Sequence, residues 1–429
     1  MICVILAYFT TLYMQIAHRH TLKNGLTLIV QEDFSTPLAV VNVLYDVGAR
    51  DESPTKTGFA HLFEHFMFEG SVNIEDFDTP LEHAGGESNA FTTNDLTNYY
   101  DILPAQNIET ALWLESDRML SLAFENESLE TQKRVVTEEF KEHYINKPYG
   151  NVWHELSALA YQQHPYRWPT IGLDLSHVED AQMEDVKAFF DSYYQPNNAI
   201  LSICGAIKNE DAIKLVQKWF GDIPSLPKKV RSLPVEPLQT SARYKTIAAD
   251  VPAKAIYKTY KMPARTSSAY YSLDLLRDAI AGTDTASLYR ILVKEKRWLN
   301  TVSCYLTETL DEGLFVIEGK LTDDVDFAEV DSAIQEILHT TILELDETQL
   351  NKLKNKFETY TRFSDTNLMN RAFNLAFYEL LGDANLLFSE IDRYNAVKLE
   401  DIKHHATTCF QPEVANTLFY DVLKTANHE

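Results

Sequence analysis

The stretch Gly58-Phe59-Ala60-His61-Leu62-Phe63-Glu64-His65-Phe66-Met67-Phe68-Glu69-Gly70-Ser71 decides how the rest of the chain is read. At about 100° per residue, positions 61, 64, 65 and 68 share one face of a helix. Positions 62, 63, 66 and 67 share the other, and they are Leu, Phe, Phe and Met. The apolar face docks, and His61, Glu64 and His65 turn together toward another surface. Two histidines at i and i+4 can offer imidazole nitrogens to one tetrahedral ion. Glu64 then lies beside the ion, where a general base for a water belongs. Taken alone, the pattern also fits a solvated helix face with a His–Glu pair.

Outward from this helix, Asn24-Gly25 forms a hairpin turn between two short alternating stretches. Leu38–Val47 reads as a buried strand and Thr57–Phe68 as the helix itself. Further helices are predicted over 105–122, 128–145, 150–162 and 182–193, with a strand over Ala199–Ala206. Ser128 is a candidate N-cap of the stretch 128–145, with Val135, Val136 and Phe140 on its docking side. Pro224, Pro227, Pro234 and Pro237 then crowd a segment that can be neither helix nor central strand, which reads as a linker.

Glu184, Asp185, Lys187, Gln195 and Pro196 recur as Glu400, Asp401, Lys403, Gln411 and Pro412, at a constant spacing of 216 residues. Each set precedes an apolar strand. Duplication of a helix–strand unit implies two similar domains. The expected fold class is α+β: two similar domains, each a mainly antiparallel sheet packed with helices. The expected organisation is 18–223 for a catalytic, metal-binding domain, 224–240 for the linker and 241–429 for a similar, non-catalytic domain.

The chain of 429 residues has 38 basic and 63 acidic side chains, a formal net charge of −25. Such a surface repels nucleic acid, and none is expected as a partner. Cys3, Cys204, Cys304 and Cys409 form no CxxC pair, so free thiols are expected. Residues 1–17 are apolar but short for a membrane span and lack a basic n-region. A cytoplasmic location is expected, the alternative being periplasmic or secreted if these residues act as a signal.

With GGESNAFTTNDLTNYY at 85–100, KRVVTEEFKE at 133–142 and HPYRWPTIG at 164–172, the sequence resembles the insulinase/pitrilysin family of zinc peptidases, the inverzincins, which includes the mitochondrial processing peptidases. The resemblance runs from about residue 18 to near the end of the chain, and it implies one half of a clamshell that hydrolyses peptides or unfolded polypeptides. It implies that Zn²⁺ is held by His61, His65 and a glutamate about seventy-five residues on. Glu138 and Glu139 both stand there, and the family register selects Glu139. Glu64 is the implied general base. Asn89 and Ala90 would meet the peptide backbone on an edge strand; read from the residues alone, the same strand can be internal. Many relatives carry a second acidic residue seven places before the ligand glutamate. Here that place holds Gln132, which can hydrogen-bond a ligand but adds no charge.

The resemblance also implies that the half facing the zinc supplies an arginine and a tyrosine in a pattern like L-R-x-K-E-x-x-x-Y. The matching stretch, from Leu292 to Asn300, has Val293 and Asn300 in those places. The expected partner is therefore a paralogous chain that brings the Arg/Tyr pair, the alternative being a homodimer. His83, His143, His154 and His164 are read as surface residues or as residues behind the metal ligands.

Overall fold

The computed structural model of the chain describes residues 17–323 and 325–423. Residues 1–16, which carry most of the stretch on which the expected location turns, and Cys3 lie outside the described residues. Among the described residues, no helix is long and apolar enough to cross a membrane.

Two mixed, mainly antiparallel sheets organise the molecule. The first uses β1 (His18–Thr21), β2 (Thr27–Glu32), β3 (Leu38–Tyr45), β4 (Glu87–Thr92), β5 (Thr97–Pro104) and β6 (Ala199–Gly205), in the order β1-β2-β6-β3-β5-β4. The second uses β7 (Arg243–Ala249), β8 (Ala255–Met262), β9 (Leu299–Leu306), β10 (Gly313–Leu321) and β11 (Asn416–Val422), in the order β7-β11-β8-β10-β9. With β1 set aside, the two orders are the same. Each has one parallel pair at the matching place, β2 with β6 and β7 with β11. The fold is α+β, with two similar domains.

The repeated residues have a repeated task. The helices Met183–Tyr193 and Leu399–Cys409 precede β6 and β11. Asp185 accepts from the Gln182 backbone N–H and Asp401 from that of Lys398, so each closes its helix's first turn.

β3 and β6 are apolar nearly end to end, so both faces of their sheet need cover. One face packs on helices of the same half, α1 (Phe59–Phe66), α2 (Ile108–Leu120) and α3 (Asn126–Phe140) among them. The other face is covered from the second half, by Ala372, Leu375, Ala376 and Phe377 of the helix Leu368–Leu380. The exchange is mutual. Val152, Leu156 and Ala160 of the helix Val152–Ala160 pack on Val316, Leu418 and Tyr420 of the second sheet.

Residues 224–240 carry no regular element. They are tied to the first half: Arg231 pairs with Asp46 and Asp51, and Glu236 accepts from the N–H groups of Gln162, Gln163 and His164.

Two expectations for α3 fail. The helix starts at Asn126 with Glu125 at its N-cap, so Ser128 lies inside the first turn and caps nothing. Val135 is exposed, whereas Leu129, Val136 and Phe140 dock. The helix also widens after Phe140 into a looser turn over Lys141–Ile145.

Candidate metal centre

Helix α1 takes the orientation its periodicity demands. Leu62, Phe63, Phe66 and Met67 are buried at 2% exposure or less, and His61, Glu64 and His65 stay partly open. Gly58 enters the helix with φ +85°, and a Cβ there would stand 2.6 Å from the Ile171 carbonyl oxygen. Only glycine accepts that conformation at no steric cost. Glu52, buried, accepts from the Gly58 and Ala60 N–H groups at 3.0 and 2.8 Å and so satisfies the first turn. Burial pushes its carboxyl up to about 8 against the pull of those donors.

From α3, Glu139 reaches the two histidines. Its Oε2 is 3.8 Å from His61 Nε2 and 3.5 Å from His65 Nε2. One ligand atom from each of the three residues lies within 4.8 Å of the others, the one such group among the described residues. Glu138 points away: it pairs with Lys141 at 2.8 Å and its side chain is 73% exposed.

Burial, with His65 beside it, pulls His61 down to about 4, although Glu139 opposes this. His65 moves the other way: burial lowers it, but the hydrogen bond and charge of Glu139 outweigh that and raise it. Glu139 is lowered, chiefly by its hydrogen bond to His65. Glu64 is raised, chiefly by burial, while Thr92 Oγ1, 2.5 Å from its Oε2, works against the rise. Two imidazoles and a carboxylate close enough to reach one ion are donor types that zinc accepts.

The segment 85–100 supplies the neighbouring wall. Among the described residues β4 pairs only with β5 and ends the sheet, so it is an edge strand there, not an internal one. Asn89 is exposed and folds back so that its Oδ1 accepts from the Ala90 N–H at 2.8 Å; Ala90 is partly buried. Gln132 is not among the three gathered residues; its Nε2 donates to Glu69 Oε1.

Two family models match. "Insulinase (Peptidase family M16)" covers residues 27–173, and "Peptidase M16 inactive domain" covers residues 180–357. The chain belongs to the insulinase/pitrilysin family. The inactive-domain match begins in the last part of the first half and runs into the second half, where no His/Glu group gathers among the described residues. The zinc protease PqqE of Helicobacter pylori is 28% identical over 93% of this chain and 91% of its own. The uncharacterized zinc protease YmxG of Bacillus subtilis is 24% identical over 93% of this chain and 97% of its own. A crystal structure of a protease from Helicobacter pylori superposes with a TM-score of 0.90 at 27% identity, covering 95% of this chain and all of that one. Pitrilysin superposes with a TM-score of 0.79 at 17% identity; it covers 96% of this chain, which spans 46% of pitrilysin.

Reading the sequence missed Thr92, Glu52 and Glu69. Thr92 and Glu69 sit inside the quoted motifs, whereas nothing in the sequence marks Glu52 as the helix's cap. Two of the histidines set aside prove to have definite work. His164 is buried rather than on the surface: its Nδ1 accepts from the Tyr166 N–H, and its Nε2 is 3.4 Å from Asp311 of the other half. His154 is bonded to the Gly172 carbonyl at 2.9 Å and packs on Phe140. His143 is exposed, as expected.

Proposed function

We propose that this chain is a zinc-dependent endopeptidase for peptides or unfolded polypeptides. The observation that carries the reading is the convergence of His61 Nε2, His65 Nε2 and Glu139 Oε2, with Glu64 one residue from His65 on the same helix face. His61, His65 and Glu139 would hold the ion. Zinc bound there would supply Lewis-acid chemistry, acidifying a water and polarising a carbonyl.

Glu64 is the proton carrier. Its carboxyl, raised by burial, accepts a proton from the attacking water at one oxygen and delivers it to the leaving amine. Thr92 fixes the carboxylate's other oxygen. The peptide lies extended along β4, where the open edge offers backbone pairing at Asn89 and Ala90. Backbone pairing recognises any extended chain, so folded proteins should be spared. Glu64→Gln should keep its zinc while cleavage of a quenched fluorescent peptide falls about 100-fold or more. Undiminished cleavage would refute the assignment of the base.

The partner reading rests on the second half. Val293 packs against the second half's core, and Asn300 Nδ2 donates to the Leu321 carbonyl at 3.1 Å. Arg290 pairs with Glu295 on the surface. None of these is a free cation or phenol aimed at a facing site. We therefore favour a heterodimer with a paralogous chain that brings an arginine and a tyrosine to the zinc site, over a homodimer. One zinc per chain follows, held by the first half.

A further inference from the structure

The turn that follows β4 is fastened to the second half of the chain through one buried carboxylate. Asp95 stands in the turn between β4 and β5, just beyond Thr92, and is 3% exposed. Its Oδ1 accepts from the Tyr166 hydroxyl at 2.5 Å and lies 2.9 Å from Arg50 Nη1. Its Oδ2 accepts from the Leu310 backbone N–H at 2.8 Å. Leu310 belongs to the loop over 307–312, between β9 and β10. That loop bonds a second time: the Asp311 N–H donates to Tyr166 Oη at 3.1 Å. Asp311 Oδ2 also lies 3.3 Å from Arg50 Nη1. Tyr166 therefore donates to one half and accepts from the other, and Arg50 stands between a carboxylate of each.

Asp95 and Tyr166 lie in the stretches 85–100 and 164–172, and the proposed chemistry uses neither. Arg50 grips the same turn by its main chain: the Ala49 and Arg50 N–H groups donate to the Thr93 and Asn94 carbonyls at 3.1 and 2.9 Å. A buried carboxylate is tolerated where donors and a cation hold it, and Asp95 has all of these. An edge strand is paired from one side, so the course of β4 depends on β5 and on this turn. We propose that Asp95 is a positioning residue: it latches the end of β4 to the loop over 307–312 and so presents the edge to an incoming peptide. The proposal rests on the reading of β4 as the edge on which the peptide docks. The second half thereby takes part in peptide binding through the backbone N–H groups of Leu310 and Asp311. An edge fixed beforehand loses less conformational freedom when the peptide pairs with it.

The test is binding of a fluorescein-labelled unstructured peptide to the full chain, read by anisotropy. Glu64→Gln serves as the background, so that the peptide is not cut. Asp95→Asn keeps the shape but sets an amide N–H₂ against a donor, Arg50 on one side or Leu310 on the other, so the latch opens. Peptide affinity should fall about 10-fold or more, while zinc affinity, measured by competition with a chelator, should stay within about twofold. Unchanged peptide affinity would overturn the proposal. So would a parallel loss of peptide and zinc affinity, which marks a general loosening. Should Asp95→Asn fail to fold, Tyr166→Phe removes the hydroxyl that joins Asp95 to Asp311. A weaker peptide affinity there supports the latch, and an unchanged one overturns it. If the Glu64→Gln chain binds no peptide, the docking edge itself is refuted, and the latch is judged by hydrogen exchange. Faster exchange in Asp95→Asn of the β4 amides that pair with β5 supports it, and unchanged exchange overturns it.

Discussion

Thr92 Oγ1 donates to Glu64 Oε2 at 2.5 Å, so the last residue of the edge strand holds the carboxylate of the helix that faces it. The strand proposed to pair with the peptide and the group proposed to move the proton thus share a hydrogen bond. Thr92→Val keeps the shape and the strand preference but removes the donor. Loss of one such bond to a charged group is worth about 1.5–3 kcal/mol, so kcat should fall roughly 10- to 100-fold with KM and zinc content little changed. Thr92→Ser should restore most of it. A rise in KM at constant kcat would show that Thr92 serves binding alone.

Gly58 tests how strictly the helix is seated. Its φ of +85° and the 2.6 Å approach to the Ile171 carbonyl leave no room for a methyl group. Gly58→Ala should cost about 1–3 kcal/mol of unfolding free energy, read as a lower urea midpoint. Zinc content should fall with it, because the same turn aims His61. An unchanged midpoint would mean that the loop over residues 164–172 yields freely.

Acid should act on the metal-free protein through His61. Its folded value, about 4, lies below the ordinary histidine value of 6.5. Between those limits the unfolded chain binds the extra proton, so His61 costs stability progressively as pH falls from 6.5 toward 4. His65 has the opposite sign. It is raised, so its contribution is fully present below the unfolded value and is lost as pH rises through the folded one. His61→Phe should therefore flatten the acid limb of a urea-midpoint-against-pH profile recorded without metal. His65→Phe should not. Parallel profiles for wild type and His61→Phe would contradict the burial of a neutral imidazole.

The part of this site that lay in local periodicity was legible in the sequence. The four apolar positions of α1 had to dock, and that alone turned His61, Glu64 and His65 together. The choice between Glu138 and Glu139 was not local, because adjacent helical residues diverge by about 100° and only the packing of α3 against α1 selects one. Ser128 misled because a capping side chain says nothing of a helix that begins two residues earlier. Val135 misled because an apolar type does not specify a face. The continuous apolar runs of β3 and β6 signalled that both faces would be covered. They did not signal that the cover would come from the helix Leu368–Leu380, more than 160 residues along the chain from β6. Glu52 escaped notice because its bond to Ala60 forms only once the loop before α1 has folded back.

The proposed division of the site between two chains gives the last prediction. Val293 and Asn300 are both engaged inside their own half, so a second copy of this chain would face the first with no arginine or tyrosine from those positions. A developing negative charge on the peptide carbonyl oxygen is stabilised by a donor and a cation aimed at it, and removing one such group costs about 100- to 1000-fold in kcat. The chain purified alone should therefore bind one zinc and cleave a fluorescent peptide slowly. Co-expression with a paralogue that carries the L-R-x-K-E-x-x-x-Y pattern should raise kcat by about that factor and yield a 1:1 complex on gel filtration. The gain should vanish when the paralogue's arginine is changed to alanine. Equal activity of the lone chain and the mixture would refute the divided site and leave the homodimer as the working form.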